Sequence, residues 1–324
     1  MQVSARRFTP PIPNGWFQVA FSHELEPGTV KPLRYFEKDL VAFRTEAGTI
    51  SVLDAHCPHL GAHLGHGGKV EGEGIVCPFH AWKFDGEGAL LDVPYATRKP
   101  RKASIPCWHV KELAGLVFVW HHAEGKPPQW DIPDSVPEYD SEEWTEYLTH
   151  STKIRTNNLD MAENQVDSAH FHYVHGATNM PKSTGETDGH IMRVSSITGM
   201  DTPMGPVDGK VESTSYGFGL SLVRFTGLVD TMLVATQTPI DDDNLDVNFN
   251  FMVKKTNGAD IARGIGKAWL REIVRQLEQD RPIWEHKVQH ENPLLCDGDG
   301  PIGVFRRWCR QFYSWPEDER IAAE

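Results

Sequence analysis

Short, largely apolar runs follow one another through the first third of the chain, and turn residues break them every few positions. The runs lie at 16–21, 40–44, 50–54, 75–77, 81–84 and 116–121, with Glu46-Ala47-Gly48 and Asp85-Gly86-Glu87-Gly88 between some of them. Short β-prone runs with frequent turns predict a small antiparallel β domain. Residues 124–137 then carry four prolines and few apolar side chains, the composition of a linker.

Beyond the linker the period changes. Tyr216, Phe218, Leu220 and Leu222 alternate with Gly and Ser, and Leu245, Val247, Phe249, Phe251 and Val253 alternate with polar residues, as half-buried strands do. Asp241-Asp242-Asp243-Asn244 marks a solvated turn. Residues 158–173 and 259–279 read as helices, the second with Ile261, Ile265, Trp269, Ile273 and Leu277 repeating every four positions. The expected fold is α+β in two domains, 1–137 and 138–324, with strands forming the walls of a hydrophobic pocket in the second.

A length of 324 residues suits two cores rather than a lone electron-carrier module. The formal net charge of −13 argues against nucleic acid or an anionic membrane as partner, because both need a basic surface. The longest apolar run, 113–120, is far short of the roughly 20 residues that cross a bilayer. The basic stretch 1–7 is followed by Pro10, Pro11 and Pro13 instead of an apolar core, so no secretory signal is expected. Five cysteines without a regular framework do not suggest disulfides, and a reducing cytoplasm is the expected compartment.

Candidate chemistry begins at Cys57-Pro58-His59 and Cys77-Pro78-Phe79-His80. Each loop supplies one thiolate and one imidazole, which is the ligand set of a Rieske [2Fe–2S] centre, two Cys on one iron and two His on the other. A Cys2His2 zinc site uses the same ligand types, although zinc fingers pair Cys with Cys and His with His. Gly61, Gly65, Gly67 and Gly68 follow the first pair and would let backbone amides approach the sulfurs. His56, His63 and His66 are expected to support these loops, and His172, His190, His286 and His290 to be ordinary polar histidines.

A second constellation, Glu163-x3-Asp167-x2-His170-x4-His175, closes the first helix of the second half. Asp167 and His170 share a helical face, and His175 joins them if the chain turns after about Tyr173. Two imidazoles beside a carboxylate begin the open-sided triad of non-haem Fe(II) oxygenases. Asp280 is the candidate third ligand, since it continues the stripe Ile273, Leu277, Asp280, Trp284. Pro282 would distort the helix there and free the Asp to aim away from ideal geometry. A salt bridge from Asp280 to Arg or Lys is the competing reading.

Together these residues resemble the oxygenase component of Rieske non-haem iron monooxygenases. Cys-Pro-His-x-Gly-Ala-x-Leu from 57, His-Gly-Gly-Lys-Val at 66–70, Cys-Pro-Phe-His-Ala-Trp-Lys-Phe at 77–84 and Val-Pro-Tyr-Ala at 93–96 are similar to 3-ketosteroid 9α-hydroxylases and cholesterol 7-desaturases. Val223-Arg224-Phe225-Thr226-Gly227, Gln279-Asp280, Ile283-Trp284 and Asn292-Pro293-Leu294-Leu295 extend the likeness. The resemblance implies Cys57, His59, Cys77 and His80 as cluster ligands, and His170, His175 and Asp280 as ligands of one Fe(II). It implies a helix-grip-like second domain and a homotrimer, sometimes stacked as a hexamer. Asp167 would be the bridging carboxylate that carries electrons from His80 of a neighbouring subunit to His170. At the position four before it, often Asp in the family, stands Glu163.

The chemistry implied is O2-dependent hydroxylation of a hydrophobic, steroid-like substrate, or its desaturation or O/N-demethylation on the same scaffold. No flavin or nicotinamide fingerprint occurs, so electrons must come from a separate NAD(P)H-dependent reductase or a ferredoxin. An electron carrier without its own catalysis would need only the first third of the chain. Animal desaturases of this type begin with a transmembrane helix, so a soluble bacterial-type enzyme is the better match.

Overall fold

The computed structural model describes residues 10–314 except 178, 203, 204, 228, 257 and 291, and side chains within that range except at 198–202 and 205–208. The basic stretch 1–7 lies outside the described residues. Contacts divide the chain into two compact units, Trp16–Asp131 and Ile132–Glu324, the latter taking in the described residues before Trp16. Asn14 fastens those residues, its amide N–H bonding the Phe312 carbonyl at 2.6 Å and its side chain the Ser314 hydroxyl at 3.0 Å.

The first unit contains β1 (Gly15–Phe21), β2 (Val30–Tyr35), β3 (Lys38–Arg44), β4 (Ile50–Asp54), β5 (Lys69–Glu71), β6 (Gly74–Val76), β7 (Lys83–Asp85), β8 (Leu90–Asp92), β9 (Val110–Leu113) and β10 (Leu116–His121). They form three small sheets, β1-β10-β9, β2-β3-β4 and β5-β6-β7-β8. Pro32 interrupts the apolar pattern of β2, and the strand accordingly occupies a sheet edge, where a missing N–H is tolerated. Residues 77–82, expected in part as strand, instead make a tight turn. Ala81 adopts φ 57° and its N–H bonds the Cys77 carbonyl, while the Cys77 N–H bonds Trp82.

The segment 124–137 has neither helix nor strand, as expected of a linker, yet it is packed down. Ile132 and Val136 are buried, and the Trp130 carbonyl accepts from the Trp16 indole at 2.9 Å.

The second unit contains β11 (Leu148–Ile154), α1 (Asn158–Glu163), α2 (Ser168–Tyr173), β12 (Lys182–Asp188), β13 (Ile191–Thr202), β14 (Gly205–Tyr216), β15 (Leu220–Thr226), β16 (Thr231–Pro239), β17 (Leu245–Val253), α3 (Ala259–His286) and α4 (Ile302–Cys309). Its strands form one antiparallel sheet in the order β11-β17-β16-β15-β14-β13-β12. The long α3 packs on it, with Leu277 and Trp284 buried against Ile154, Leu245 and Val247. The fold is therefore α+β, a β unit followed by an antiparallel sheet gripped by a helix.

Three expectations need correction. Residues 158–173 form two helices, not one, because Asp167 caps α2 and the chain turns between Asn164 and Val166. Residues 216–222 are not one strand: a turn at Gly217 joins β14 to β15, and Phe218 packs against Phe305, Trp308 and Phe312 instead of lining a pocket. Helix α3 runs past the expected end at 279, through Pro282 to His286.

Candidate metal centres

In the first unit, Cys57 and His59 lie in the loop after β4, and Cys77 and His80 in the turn between β6 and β7. The sulfurs belong to the hydrophobic core and are buried with Leu53, Leu64, Ile75 and Phe84. The loops close on themselves, the Cys57 N–H bonding the Ala62 carbonyl at 2.9 Å and the Gly61 N–H bonding Cys57 at 3.0 Å. Gly65 and Gly68 are needed for contact within the fold rather than to the sulfurs, since a Cβ there would meet Pro32 and the Leu64 carbonyl oxygen. The His59 and His80 rings stand 4.8 Å apart, and His59 stacks flat on Trp82 at 4.6 Å. The Trp82 indole N–H donates to the Tyr95 hydroxyl at 2.8 Å. His63 supports the loop as expected, accepting from the Gly65 N–H at 3.0 Å and bridging to His56.

This arrangement fits a two-iron cluster. His80 Nδ1 is buried without a hydrogen-bond partner, an open donor position for a metal. Burial pushes the Cys57 thiol up to about 11; a His59 backbone hydrogen bond opposes the rise and neighbouring Cys77 adds to it. A metal cation beside it would hold the Cys57 thiol ionised against that rise. Among the described residues no three of these four groups converge on one point, as a tetrahedral zinc ion would require. They form two pairs, sulfur with sulfur and ring with ring.

In the second unit the convergence is of the single-ion kind. Ligand atoms of His170, His175 and Asp280 all lie within 4.8 Å of one another. His170 comes from α2, His175 from the turn after it, and Asp280 from α3. His175 Nε2 is 3.3 Å from Asp280 Oδ2, and the two imidazoles meet edge to face at 5.0 Å. The outward nitrogens are tied back: His170 Nδ1 lies 2.7 Å from the Asp167 carbonyl, and His175 Nδ1 lies 3.1 Å from Gln279 Oε1. Both acceptors select the tautomer that leaves Nε2 free for a metal. Burial lowers the basicity of His175, but the Asp280 carboxylate outweighs it and the net shift is upward.

Asp280 pairs with no Arg or Lys among the described residues, which removes the salt-bridge reading. Other nearby carboxylates are engaged. Arg306 grips Glu163 with both nitrogens at 2.6 and 2.9 Å, and Arg281 grips Glu278 likewise at 2.8 and 2.7 Å. Asp167 caps α2, its Oδ1 accepting from the Ala169 and His170 amides at 3.0 and 3.2 Å. Burial raises its pKa, but contact with His170 and these amides brings the net value below the usual range. His172 and His286 bond backbone carbonyls of Ala177 and Pro282, ordinary polar roles.

A cavity of about 190 Å³ opens beside the triad. Its walls are mostly apolar, with Met161, Phe171, Leu233, Phe249, Leu277 and Trp284 prominent. Strand β16, which the sequence pattern did not single out, supplies four lining residues, Leu233, Ala235, Thr236 and Gln237.

Comparison with known proteins agrees with these features. Residues 15–112 match the Rieske [2Fe-2S] domain, and residues 119–313 match the 3-ketosteroid 9alpha-hydroxylase C-terminal domain. A 3-ketosteroid-9-alpha-monooxygenase oxygenase component of Rhodococcus rhodochrous is 32% identical, over 94% of this chain and 82% of its own. A cholesterol 7-desaturase of Ciona intestinalis is 30% identical, over 94% of this chain and 70% of its own. Dicamba monooxygenase shares the fold, with a TM-score of 0.74 at 16% identity over 98% of this chain and 100% of that one. The chain belongs to the Rieske non-haem iron oxygenases, in the family defined by the 3-ketosteroid 9α-hydroxylase C-terminal domain. It is an oxidoreductase that uses molecular oxygen, and as an oxygenase component it depends on a separate reductase. No described helix is long and apolar enough to cross a membrane.

Proposed function

We propose that the chain hydroxylates a steroid- or sterol-like ring compound bound in the cavity of the second unit. The observation that carries this reading is the juxtaposition of His170, His175 and Asp280 with a mostly apolar cavity. In this reading the three hold one Fe(II), and Cys57, His59, Cys77 and His80 hold one [2Fe–2S] cluster. A ferrous ion held by these three residues would supply the activation of O2 beside the substrate.

The side chains divide the remaining work. Met161, Phe171, Phe249 and Trp284 exclude water from the substrate's faces. Gln279 and the Asp167 carbonyl hold the imidazole rings in one tautomer. The second oxygen of Asp167 is left for His80 of the partner subunit in a homotrimer. Support for that route is a carboxylate only one-third exposed that spends one oxygen on the α2 cap.

Relatedness to a cholesterol 7-desaturase favours a second outcome on the same site, loss of two hydrogens in place of gain of oxygen. Mass spectrometry separates them. Reduced enzyme is incubated without air with a panel of sterols, steroid ketones and aromatic acids, and air is then admitted. A steroid product one oxygen heavier is expected. Turnover confined to the aromatic acids would overturn the substrate class.

A further inference from the structure

Met161, Asn164 and Gln165 stand three and four positions apart, so the helical path of α1 turns them to one face, and all three line the cavity. Glu163, between them, turns away into the grip of Arg306. This face brings two carboxamides into a mostly apolar enclosure, and their situations differ. Gln165 is closed off. Ser215 gives its one hydroxyl proton to Gln165 Oε1 at 2.9 Å, so across the 2.8 Å contact between the two serines Ser221 must be the donor. Ser221 in turn accepts from Gln165 Nε2 at 3.2 Å. The three side chains form a ring in which every bond runs the same way, and the ring fixes both ends of the Gln165 amide. Gln276, on α3, commits its amide nitrogen to Glu272 at 2.9 Å.

Asn164 has no such tie. Its side chain makes no hydrogen bond among the described residues, it is half-buried, and neither of its polar atoms is sealed inside the protein. It therefore offers the cavity a free donor and a free acceptor. The backbone that carries it is held in place: Asn164 ends α1 with φ −59° and ψ −26°, still helical, and the next residue is Gln165, locked into the serine ring. A polar group fixed at one point of an apolar wall orients what binds there, because the hydrocarbon around it offers a ligand oxygen nothing to bond.

We propose that Asn164 determines specificity: its carboxamide hydrogen-bonds an oxygen of the substrate and so selects, among apolar ring compounds, those that carry a ketone or hydroxyl at the matching place. Its N–H donates to a ketone, and its carbonyl accepts from a hydroxyl. A rigid ring skeleton anchored at that oxygen has one set of carbons facing His170, His175 and Asp280, and an analogue without the oxygen leaves the amide unanswered. The inference rests on the ring-compound reading given under Proposed function, and adds the group by which the compound is read.

The test is equilibrium binding to the iron- and cluster-loaded enzyme without reductant, followed by tryptophan fluorescence, since Trp284 lines the cavity. The probes are 5α-androstan-3-one, 5α-androstan-3β-ol and 5α-androstane, one skeleton with a ketone, a hydroxyl or no oxygen. Each affinity also contains the cost of taking the oxygen out of water. The readout is therefore the ratio of ketone to hydrocarbon affinity, and of alcohol to hydrocarbon affinity, compared between wild type and variant. Asn164→Leu should shift both ratios about tenfold against the oxygenated probes, the worth of one hydrogen bond. Asn164→Ala, which leaves open the space that Leu fills, should shift them in the same direction. Both variants should keep the iron and sulfide content of wild type.

Ratios that stay at the wild-type value in both variants would overturn the inference. Equal losses for all three probes would also overturn it, since Asn164 would then set only the shape of the cavity. A fall in bound iron at constant sulfide would do the same, by placing Asn164 in the service of the metal. If wild type binds none of the three probes, the ring-compound reading itself fails, and the inference with it. The two failures are therefore distinct.

Discussion

Which nitrogen of an imidazole reaches a metal is decided by what holds the other one. For His175 that is Gln279, at 3.1 Å and 104 residues away in the chain. Gln279→Leu removes the acceptor while keeping most of the volume, and should weaken iron binding about 10- to 100-fold. Iron and acid-labile sulfide measured together will show the loss as a fall in iron at constant sulfide; unchanged iron would mean that the tautomer is fixed by other contacts. At the cluster, Cys57→Ser should abolish the Rieske absorption, whereas Cys107→Ser, Cys296→Ser and Cys309→Ser should leave it intact. Both groups of residues that the structure brings together were legible in the sequence for physical reasons: two Cys-His loops are rare, and a carboxylate on the apolar stripe of α3 needs a partner. Gln279 was not legible. A glutamine in a helix or strand usually faces solvent, and its value here comes only from what the fold places beside it.

The short helices α1 and α2, the second of which carries His170, are too small to be stable alone, so their position depends on what clamps them. Glu163 at the end of α1 is gripped by Arg306 of α4, and buried Asp160 receives Lys287 at 2.9 Å. Arg306 also reaches the His290 carbonyl at 2.5 Å, which ties the segment after α3 into the same clamp. Arg306→Ala would leave Glu163 mostly buried and unpaired, a loss of about 3–5 kcal/mol. A melting temperature lower by about 10 °C is expected, and a shift under 2 °C would show the clamp to be dispensable. Gly300 closes the loop before α4 at φ +79°, and a Cβ there would collide with the Val166 carbonyl and Ser168, next to the α2 cap. Gly300→Ala should therefore reduce iron occupancy as well as stability, visible as unfolding at lower denaturant with less bound metal. The sequence pattern read β1, β3, β4, β10 and β17 well, because each is a short run of mostly apolar residues that the fold buries. It passed over β12, whose side chains are largely exposed, and β14, which is rich in polar residues. It also joined α1 to α2, because a capping Asp has the same spacing as a helical one.

At the scale of the whole molecule, the two ligand sets belong to separate units, so each should be removable without the other. A preparation filled at both should contain about three irons and two acid-labile sulfides per chain. Asp167 is the residue whose role, as proposed, exceeds its own unit. Its Oδ1 is committed to the α2 cap, and Asp167→Asn keeps that oxygen and the shape while removing the charge. The variant should keep its cluster and its iron, be reduced normally by the reductase, and fail to deliver electrons to the His170 site. Stopped-flow reduction followed by product analysis will separate these steps. Mixing it with a His80→Ala variant then tests the route. An Asp167→Asn subunit still has His80, and a His80→Ala subunit still has Asp167 and an intact triad. Where the first donates to the second, a complete path exists only if electrons cross between subunits. Activity recovered after dissociation and reassembly of the mixture is the expected result. Recovery requires an oligomer, so light scattering on the same samples should give three chains per particle or a multiple of three. Full activity in Asp167→Asn by itself would reduce Asp167 to the cap of α2, and the path to the iron site would then have to run through other atoms.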